Sequence, residues 1–322
     1  MKAAVYDRTG PPEVLRYQEV ADPPLRPRGV LIEVEAISIE GGDTLHRRGG
    51  PMAATPHIVG YQCAGTIREV GEQVTDRSPG QRVVATMPHG SHAELVSVPA
   101  RSTWPIPDGL ELITAACVPI AFGTADDCLF EFGDLQAGET VLVQAGAGGV
   151  GLAAIQLAKR AGATVLATAS SQAKLERLAD YGLDHGIDYT RQDVAEAARA
   201  LTDGRGVDLV VDPVGTTLPA SIGALAYRGR ISYVGNAGRD STVIDVSPLM
   251  GGNHRLQGVF LGAELAAGPR AYANIARLLD EVADGQLQVV IDREFPLAEA
   301  AEAHAYLEDR RAFGRVVLLP GR

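Results

Sequence analysis

The residues with the clearest chemical content form one run, Gly146-Ala147-Gly148-Gly149-Val150-Gly151. It follows the apolar segment VLVQA and opens the helix-patterned segment VGLAAIQLAKRA. G-x-G-x-x-G alone is a weak signal, but between a strand and a helix it marks a cradle for a dinucleotide pyrophosphate. Glycine lets the backbone turn tightly and approach a phosphate with no Cβ in the way. The helix start adds unpaired N–H groups and a partial positive charge. The competing reading is a glycine-rich turn that only packs helix on strand.

A dinucleotide with a bare ribose is usually held by an Asp or Glu about 20 residues after the glycines, at the end of the next strand. Here that strand ends in Ala167-Thr168-Ala169-Ser170-Ser171, and the first carboxylate is Glu176, inside the following helix. Two hydroxyls and Lys174 stand in its place. Small donors and a cation suit a 2′-phosphate, which a carboxylate would repel. The expected cofactor is therefore NADPH rather than NADH. Ser170 or Ser171 also suits the N-cap of the next helix, and the two roles are compatible. Lys174 is one of only three lysines among 29 basic side chains.

These residues need elements to hold them. The first third of the chain reads as short strands at 2–6, 30–39, 65–70, 82–85 and 93–98. Gly and Pro turns separate them, Gly41-Gly42 and Gly49-Gly50-Pro51 included, which suggests a barrel-like β domain. From 140 onward strands and helices alternate. Strands are expected at 140–144, 164–169, 186–189, 207–212 and 229–234, and helices at 150–161, 172–181, 194–201 and 218–225. That pattern predicts an α/β class with a doubly wound parallel sheet. The tail carries an amphipathic helix at 271–283, a strand at 289–291, a helix at 297–307 and a closing strand at 315–319.

Composition narrows the function. The chain has 322 residues, enough for about two domains. Apolar residues make up 46% and charged ones 21%, as in soluble globular proteins. The net charge of −11 and the lack of a basic run argue against nucleic acid as a partner. No apolar run is long enough to cross a bilayer. The first ten residues carry an acid and no apolar core of a signal peptide. Three cysteines, Cys63, Cys117 and Cys128, make no C-x-x-C pair, which disfavours a disulfide framework and fits a cytoplasmic protein.

The run GAGGVG with LAAIQLAKRAGATVLATASSQAK, then VDLVVDPVG and GRISYVGNAG, resembles the medium-chain dehydrogenase/reductase superfamily, in its zinc-free quinone oxidoreductase (zeta-crystallin-like) branch. Asp43, Arg47-Arg48-Gly49, Gly60-Tyr61-Gln62-Cys63-Ala64-Gly65, Pro79-Gly80-Gln81-Arg82-Val83 and the C-terminal Gly314-Arg315-Val316-Val317-Leu318 carry the resemblance over nearly the whole chain. It implies a GroES-like catalytic domain over 1–121, a Rossmann domain over 122–258 and a return segment over 259–322 that completes the first domain. The active site is then expected in the cleft between the two domains. Zinc-dependent relatives place ligands where this chain has Glu40, Tyr61 and Ile120, which do not complete a three-ligand site, so no metal is expected. His46, His57, His89 and His92 match no zinc spacing.

By motif match, Thr124 is expected near the nicotinamide and Gly148, Gly149 and Val150 on the pyrophosphate. Ser170, Ser171, Lys174 and Tyr189 are expected around the 2′-phosphate, with Asn236 and Arg315 on the far side of the cofactor. Thr124 equally suits a helix cap and Arg315 a surface cation. The resemblance implies NADPH-dependent, metal-free hydride transfer to a quinone or an α,β-unsaturated carbonyl compound, with charge collecting on a carbonyl oxygen. Quinone reductases of this branch often carry Asn and Tyr where this chain has Glu40 and Leu45. The candidate catalytic residues are Tyr61, Asp43 and Arg47, although Tyr61 also fits a packed tyrosine and Asp43 a loop cap. Two rival readings are an enoyl-thioester reductase, and an NADPH-binding structural or nucleic-acid-associated protein with little turnover. Relatives of this branch commonly pair their last Rossmann strands across a two-fold axis, so a homodimer is expected through 229–234 and 241–246.

Overall fold

The structure is a computed structural model and describes residues 1–240 and 243–321. The chain divides into two compact units, 1–120 with 275–322, and 121–274. The return to the first unit comes at 275, later than the expected 259. The intervening segment packs with the second unit: Arg270 pairs with Asp127 at 2.6 Å and Asn274 donates to Asp126 at 3.0 Å.

The first unit begins with β1 (Lys2–Tyr6), β2 (Arg16–Glu19), β3 (Gly29–Ser38), β4 (His57–Ile58), β5 (Gln62–Val70), β6 (Arg82–Thr86), β7 (Leu95–Pro99) and β8 (Thr103–Pro105). In β3 only Glu33 and Glu35 are exposed, so its charged positions mark the solvent face and its aliphatic ones enter the core. That core joins Val30, Ile32, Val34 and Ile37 to Ile67, Val83 and Val96, and to Val316 and Leu318 from the far end of the chain.

The second unit holds β9 (Thr140–Val143), β10 (Thr164–Ala169), β11 (His185–Asp188), β12 (Val207–Asp212), β13 (Leu225–Tyr233) and β14 (Arg255–Gly258). Their spatial order is β11-β10-β9-β12-β13-β14, every neighbouring pair parallel. This is the doubly wound order, and its direction reverses between β9 and β12, where such sheets bind ligands. β9 is buried along its whole length, as expected of a strand covered on both faces.

The chain returns to the first unit with β15 (Ile291–Pro296) and β16 (Arg315–Leu319). β16 pairs parallel with β15 and antiparallel with β3, closing the seven-stranded sheet. The expected strand at 289–291 thus lies a few residues later, where β16 offers a partner.

Two expectations need correction. The glycines at 41–42 and 49–50 read as turns, yet Gly41–Gly49 is a helix. Glu40 precedes it in extended conformation, and the Asp43 carboxylate accepts from the Glu40 N–H at 2.8 Å, so capping starts a helix that composition disfavours. The expected paired edge is also different. Residues 229–234 lie inside the sheet, flanked by β12 and β14. Residues 241 and 242 lie outside the described residues, and 243–246 form no strand. The Ser247 N–H donates to Asp245 at 2.9 Å, a side-chain turn that competes with strand pairing just before Pro248. The outermost strand is β14, short and too polar to stand out in the sequence.

Candidate active site

The cradle in the second unit is built from the carboxyl ends of its strands. After β9 the chain turns through Ala145, which holds a left-handed φ of 53° although it is not glycine. The helix Gly149–Arg160 starts at Gly148, which caps it in extended conformation. The glycines here do different work. A Cβ on Gly146 would lie 2.8 Å from the Ala167 Cβ, and one on Gly151 would lie 2.4 Å from the Ala145 carbonyl oxygen, so the fold itself requires both. A Cβ on Gly148 would meet only the Ala145 oxygen, at 3.3 Å. No positive φ demands glycine there and the one contact a Cβ would make is only moderately tight, so the position is far less constrained by the fold than Gly146 or Gly151. The helix N-terminus and this open glycine fit a dinucleotide pyrophosphate.

Buried hydrogen bonds fix the cradle from behind. Thr168 Oγ1 accepts from the Ala145 N–H at 3.0 Å and donates to Gln144 at 2.9 Å. Gln144 donates to Ser221 at 3.0 Å, and Ser221 donates to Asp212 at 2.7 Å. The other Asp212 oxygen accepts from the N–H groups of Val214 and Gly215 and from Thr217. The chain thereby ties β9, β10 and β12 together at the switch point. Gln144, Thr168, Asp212 and Ser221 were absent from the sequence-based site. For Gln144, Thr168 and Asp212 the signal was a polar residue at the end of an otherwise apolar strand, whereas Ser221 lies inside the Leu218–Ala224 helix and had none.

Ser170, Ser171, Lys174 and Tyr189 gather at the ends of β10 and β11. Ala169 stands opposite Asp188, and the Tyr189 N–H donates to the Ala169 carbonyl at 3.2 Å. Ser171 is the N-cap of the Gln172–Ala179 helix and accepts from the Lys174 N–H. Its capping role is therefore real, and the half-exposed Ser170 and Lys174 stand beside it. Asp188, the nearby acid, accepts from both the backbone N–H and the hydroxyl of Thr190. Asn236 sits half-buried in the loop after β13. Thr124 is nearly buried inside the Pro119–Asp126 helix, well past its start, so it is not a cap.

In the first unit the candidate catalytic residues differ in their partners. Asp43 is fully buried, its carboxylate turned to the backbone N–H of Glu40, and burial pushes its pKa well above the carboxylate range. Arg47 is fully buried and paired with Glu308. It pins the Gly41–Gly49 helix to the Ala300–Glu308 helix. The packing thus gives Asp43 a capping role at the start of the Gly41–Gly49 helix and Arg47 an ion pair with Glu308. Arg315 is buried as well. It is no surface cation: its guanidinium donates to Ser38, to the Ile39 carbonyl and to Glu40 inside the core. Burial raises the Glu40 pKa while Arg315 and Gln62 pull it back. His92 and His304 are buried too, their Nε2 atoms 3.0 Å apart.

Tyr61 remains. It is half-buried, and its hydroxyl lies 3.3 Å from His46 Nδ1. Burial, then the charges of Asp43 and Glu40, raise its pKa, so the phenol stays protonated.

The residues at the zinc-ligand positions do not fit a metal. Glu40 is committed to Arg315 and Gln62, Tyr61 is a protonated phenol, and Ile120 has no donor side chain. Chelator treatment followed by buffer exchange is expected to leave turnover unchanged. Loss of activity that zinc restores would contradict this.

Known proteins give the following likenesses. Residues 26–108 match the family described as alcohol dehydrogenase GroES-like domain, and 149–281 the family described as zinc-binding dehydrogenase. A quinone oxidoreductase of Pseudomonas aeruginosa is 35% identical over 315 residues, 97% of each chain. A 2-haloacrylate reductase of a Burkholderia species is 33% identical over 328 residues, 99% of this chain and 98% of the relative. A mycobacterial protein solved in complex with NADPH superposes with a TM-score of 0.94 at 35% identity, covering 99% of this chain and all of the other.

Proposed function

Because the chain belongs to the zinc-free quinone oxidoreductase branch of the medium-chain dehydrogenase/reductase superfamily, we propose that it is an NADPH-dependent oxidoreductase that reduces a quinone or an α,β-unsaturated carbonyl compound. The observation that carries this reading is the cradle at the switch point, with an open Gly148 and with hydroxyls and Lys174 where a carboxylate would select NADH. Gly148, Gly149 and Val150 hold the pyrophosphate at the helix start. Ser170, Ser171, Lys174 and Tyr189 surround the 2′-phosphate. Thr124 and Asn236 contact the rest of the cofactor.

Bound NADPH supplies the hydride. The protein binds and orients the acceptor and meets the charge that develops on its oxygen. Tyr61 is the group we assign to that oxygen, as a protonated hydrogen-bond donor.

Lys174→Ala tests the cofactor choice. A charge-assisted bond to phosphate contributes about 1.5–3 kcal/mol, so NADPH binding should weaken roughly tenfold to a hundredfold while NADH binding changes little. Titration of protein fluorescence with each nucleotide reads both. Equal losses would move the 2′-phosphate elsewhere.

The proposed assembly is a homodimer across the β14 edge. Tyr227, Met250 and Phe260 are 72%, 76% and 73% exposed, and a bare sheet edge beside such side chains calls for cover. Phe260→Glu with Met250→Glu should halve the mass measured by light scattering. A wild-type monomer at micromolar concentration would reject the dimer. No helix among the described residues is long and apolar enough to cross a membrane. Three free, buried cysteines support a reducing, cytoplasmic setting.

A further inference from the structure

His46 forms two hydrogen bonds that together define its state. Its Nε2 lies 2.8 Å from the Pro51 carbonyl oxygen, which can only accept. Nε2 therefore carries a proton. In the neutral ring Nδ1 is then a bare lone pair, and it accepts from the Tyr61 hydroxyl at 3.3 Å. If the ring gains a second proton, both nitrogens donate, to Pro51 and to the Tyr61 oxygen. The Tyr61 O–H is then released to donate outward. Both charge states are satisfied by the same heavy-atom positions.

The surrounding chain makes room for this arrangement. A Cβ on Gly42 would lie 2.4 Å from Tyr61 Cε2 and 3.1 Å from its hydroxyl oxygen, and a Cβ on Gly50 would lie 2.3 Å from His46 Cδ2. The glycines that looked like turns instead clear the space for these two rings. His57 stacks near His46 with centroids 6.0 Å apart, and burial, then His89 and His46, lower its pKa to about 4. A proton on His46 thus faces a neutral neighbour there. His46 itself is half-buried.

We propose that His46 is the positioning residue that holds and resupplies the proton Tyr61 delivers to the substrate oxygen. This rests on the assignment of Tyr61 to that oxygen. With a hydride added to the β-carbon of an α,β-unsaturated carbonyl compound, the C=C electron pair moves toward the carbonyl and the oxygen becomes an enolate. The Tyr61 O–H bond breaks and an O–H bond forms on the substrate, giving the enol. From the doubly protonated ring the Nδ1 proton passes to the Tyr61 oxygen, which leaves His46 neutral in its Nε2–H form, and a proton from solvent restores the second one. The enol then becomes the saturated carbonyl compound by proton exchange with water.

The test begins without cofactor or substrate. Nitrogen-15 NMR of the imidazoles in the full chain should show neutral His46 in the Nε2–H form, with an Nδ1 resonance that shifts in Tyr61→Phe. That variant removes one hydroxyl and should keep the fold. In turnover, His46→Ala and His46→Asn should each lower kcat tenfold or more with unchanged NADPH affinity. Asn can still hydrogen-bond to Tyr61 but cannot carry the proton. An Nδ1–H form, an Nδ1 resonance indifferent to Tyr61→Phe, or wild-type kcat in either His46 variant would overturn the proposal. If the wild type reduces no quinone or enone, the proposed reaction fails, while the tautomer and its response to Tyr61→Phe still decide whether the pair exists.

Discussion

Gly148→Val should fold almost normally and fail to hold NADPH. Gly148 already has an extended backbone, and its Cβ direction meets only the Ala145 oxygen at 3.3 Å. The cost to the fold is the poorer capping by Val, about 1 kcal/mol, together with a small shift at the Ala145 carbonyl to relieve the 3.3 Å contact. The cost to the ligand is far larger, because the branched side chain occupies the volume a pyrophosphate needs against the helix start. Affinity should fall a hundredfold or more, which is about 2.8 kcal/mol at 1.4 kcal/mol per decade. Calorimetric titration with NADPH, together with a thermal melt, separates the two costs. A folded variant that binds NADPH like the wild type would remove the cradle from the account. The matching change at Gly151 is not a substitute, since it clashes with the chain's own backbone and would confound folding with binding.

Arg315→Ala should do the reverse. Its guanidinium bridges Ser38, the Ile39 carbonyl and Glu40, with the ion pair sealed inside the first unit. Removing it leaves the Glu40 carboxylate buried without its cationic partner, and the loss of one partner from a buried pair costs roughly 3–5 kcal/mol. Arg315→Lys should recover only part of this, because a single ammonium cannot reproduce the planar fork. Denaturant unfolding gives the loss, and NADPH titration of the folded protein should give a wild-type affinity. A stable variant with weakened NADPH binding would restore Arg315 to the cofactor and undo the structural reading.

The contrast between these two positions shows what sequence can carry. The cradle is local: a strand, a glycine run and a helix start are contiguous, and their physics is readable in a dozen residues. The same holds for the parallel alternation, because β9, β10 and β12 are largely apolar runs with helical segments between them. Arg315 and Glu40 are 275 positions apart, and nothing near either one predicts that they meet. Arg47 reads as a cation available for catalysis until Glu308 is seen to claim it in the core. The Gly41–Gly49 helix was hidden because its glycines argue for turns, whereas its stability comes from capping by Asp43 and from tertiary anchoring by Arg47. β14 was missed for a similar reason: a short polar strand is defined by its neighbour β13 and carries no pattern of its own.

The site follows the same rule. Gly148, Ser171 and Lys174 stand out in the sequence because local motif and strand end coincide there. The Gln144–Thr168–Ser221–Asp212 chain and the Tyr61–His46 pair were not, because each depends on side chains brought together by the fold.

The central claim is that this chain transfers hydride from NADPH to an electron-poor carbon. It is tested most directly by turnover of a panel of enones with NADPH deuterated at the transferable nicotinamide C4 position, followed by mass and NMR analysis of the product. Direct hydride transfer gives one deuterium on the carbon β to the carbonyl and none from solvent there. Protein that binds NADPH yet reduces no acceptor, or a product whose β hydrogen comes from water, would contradict it.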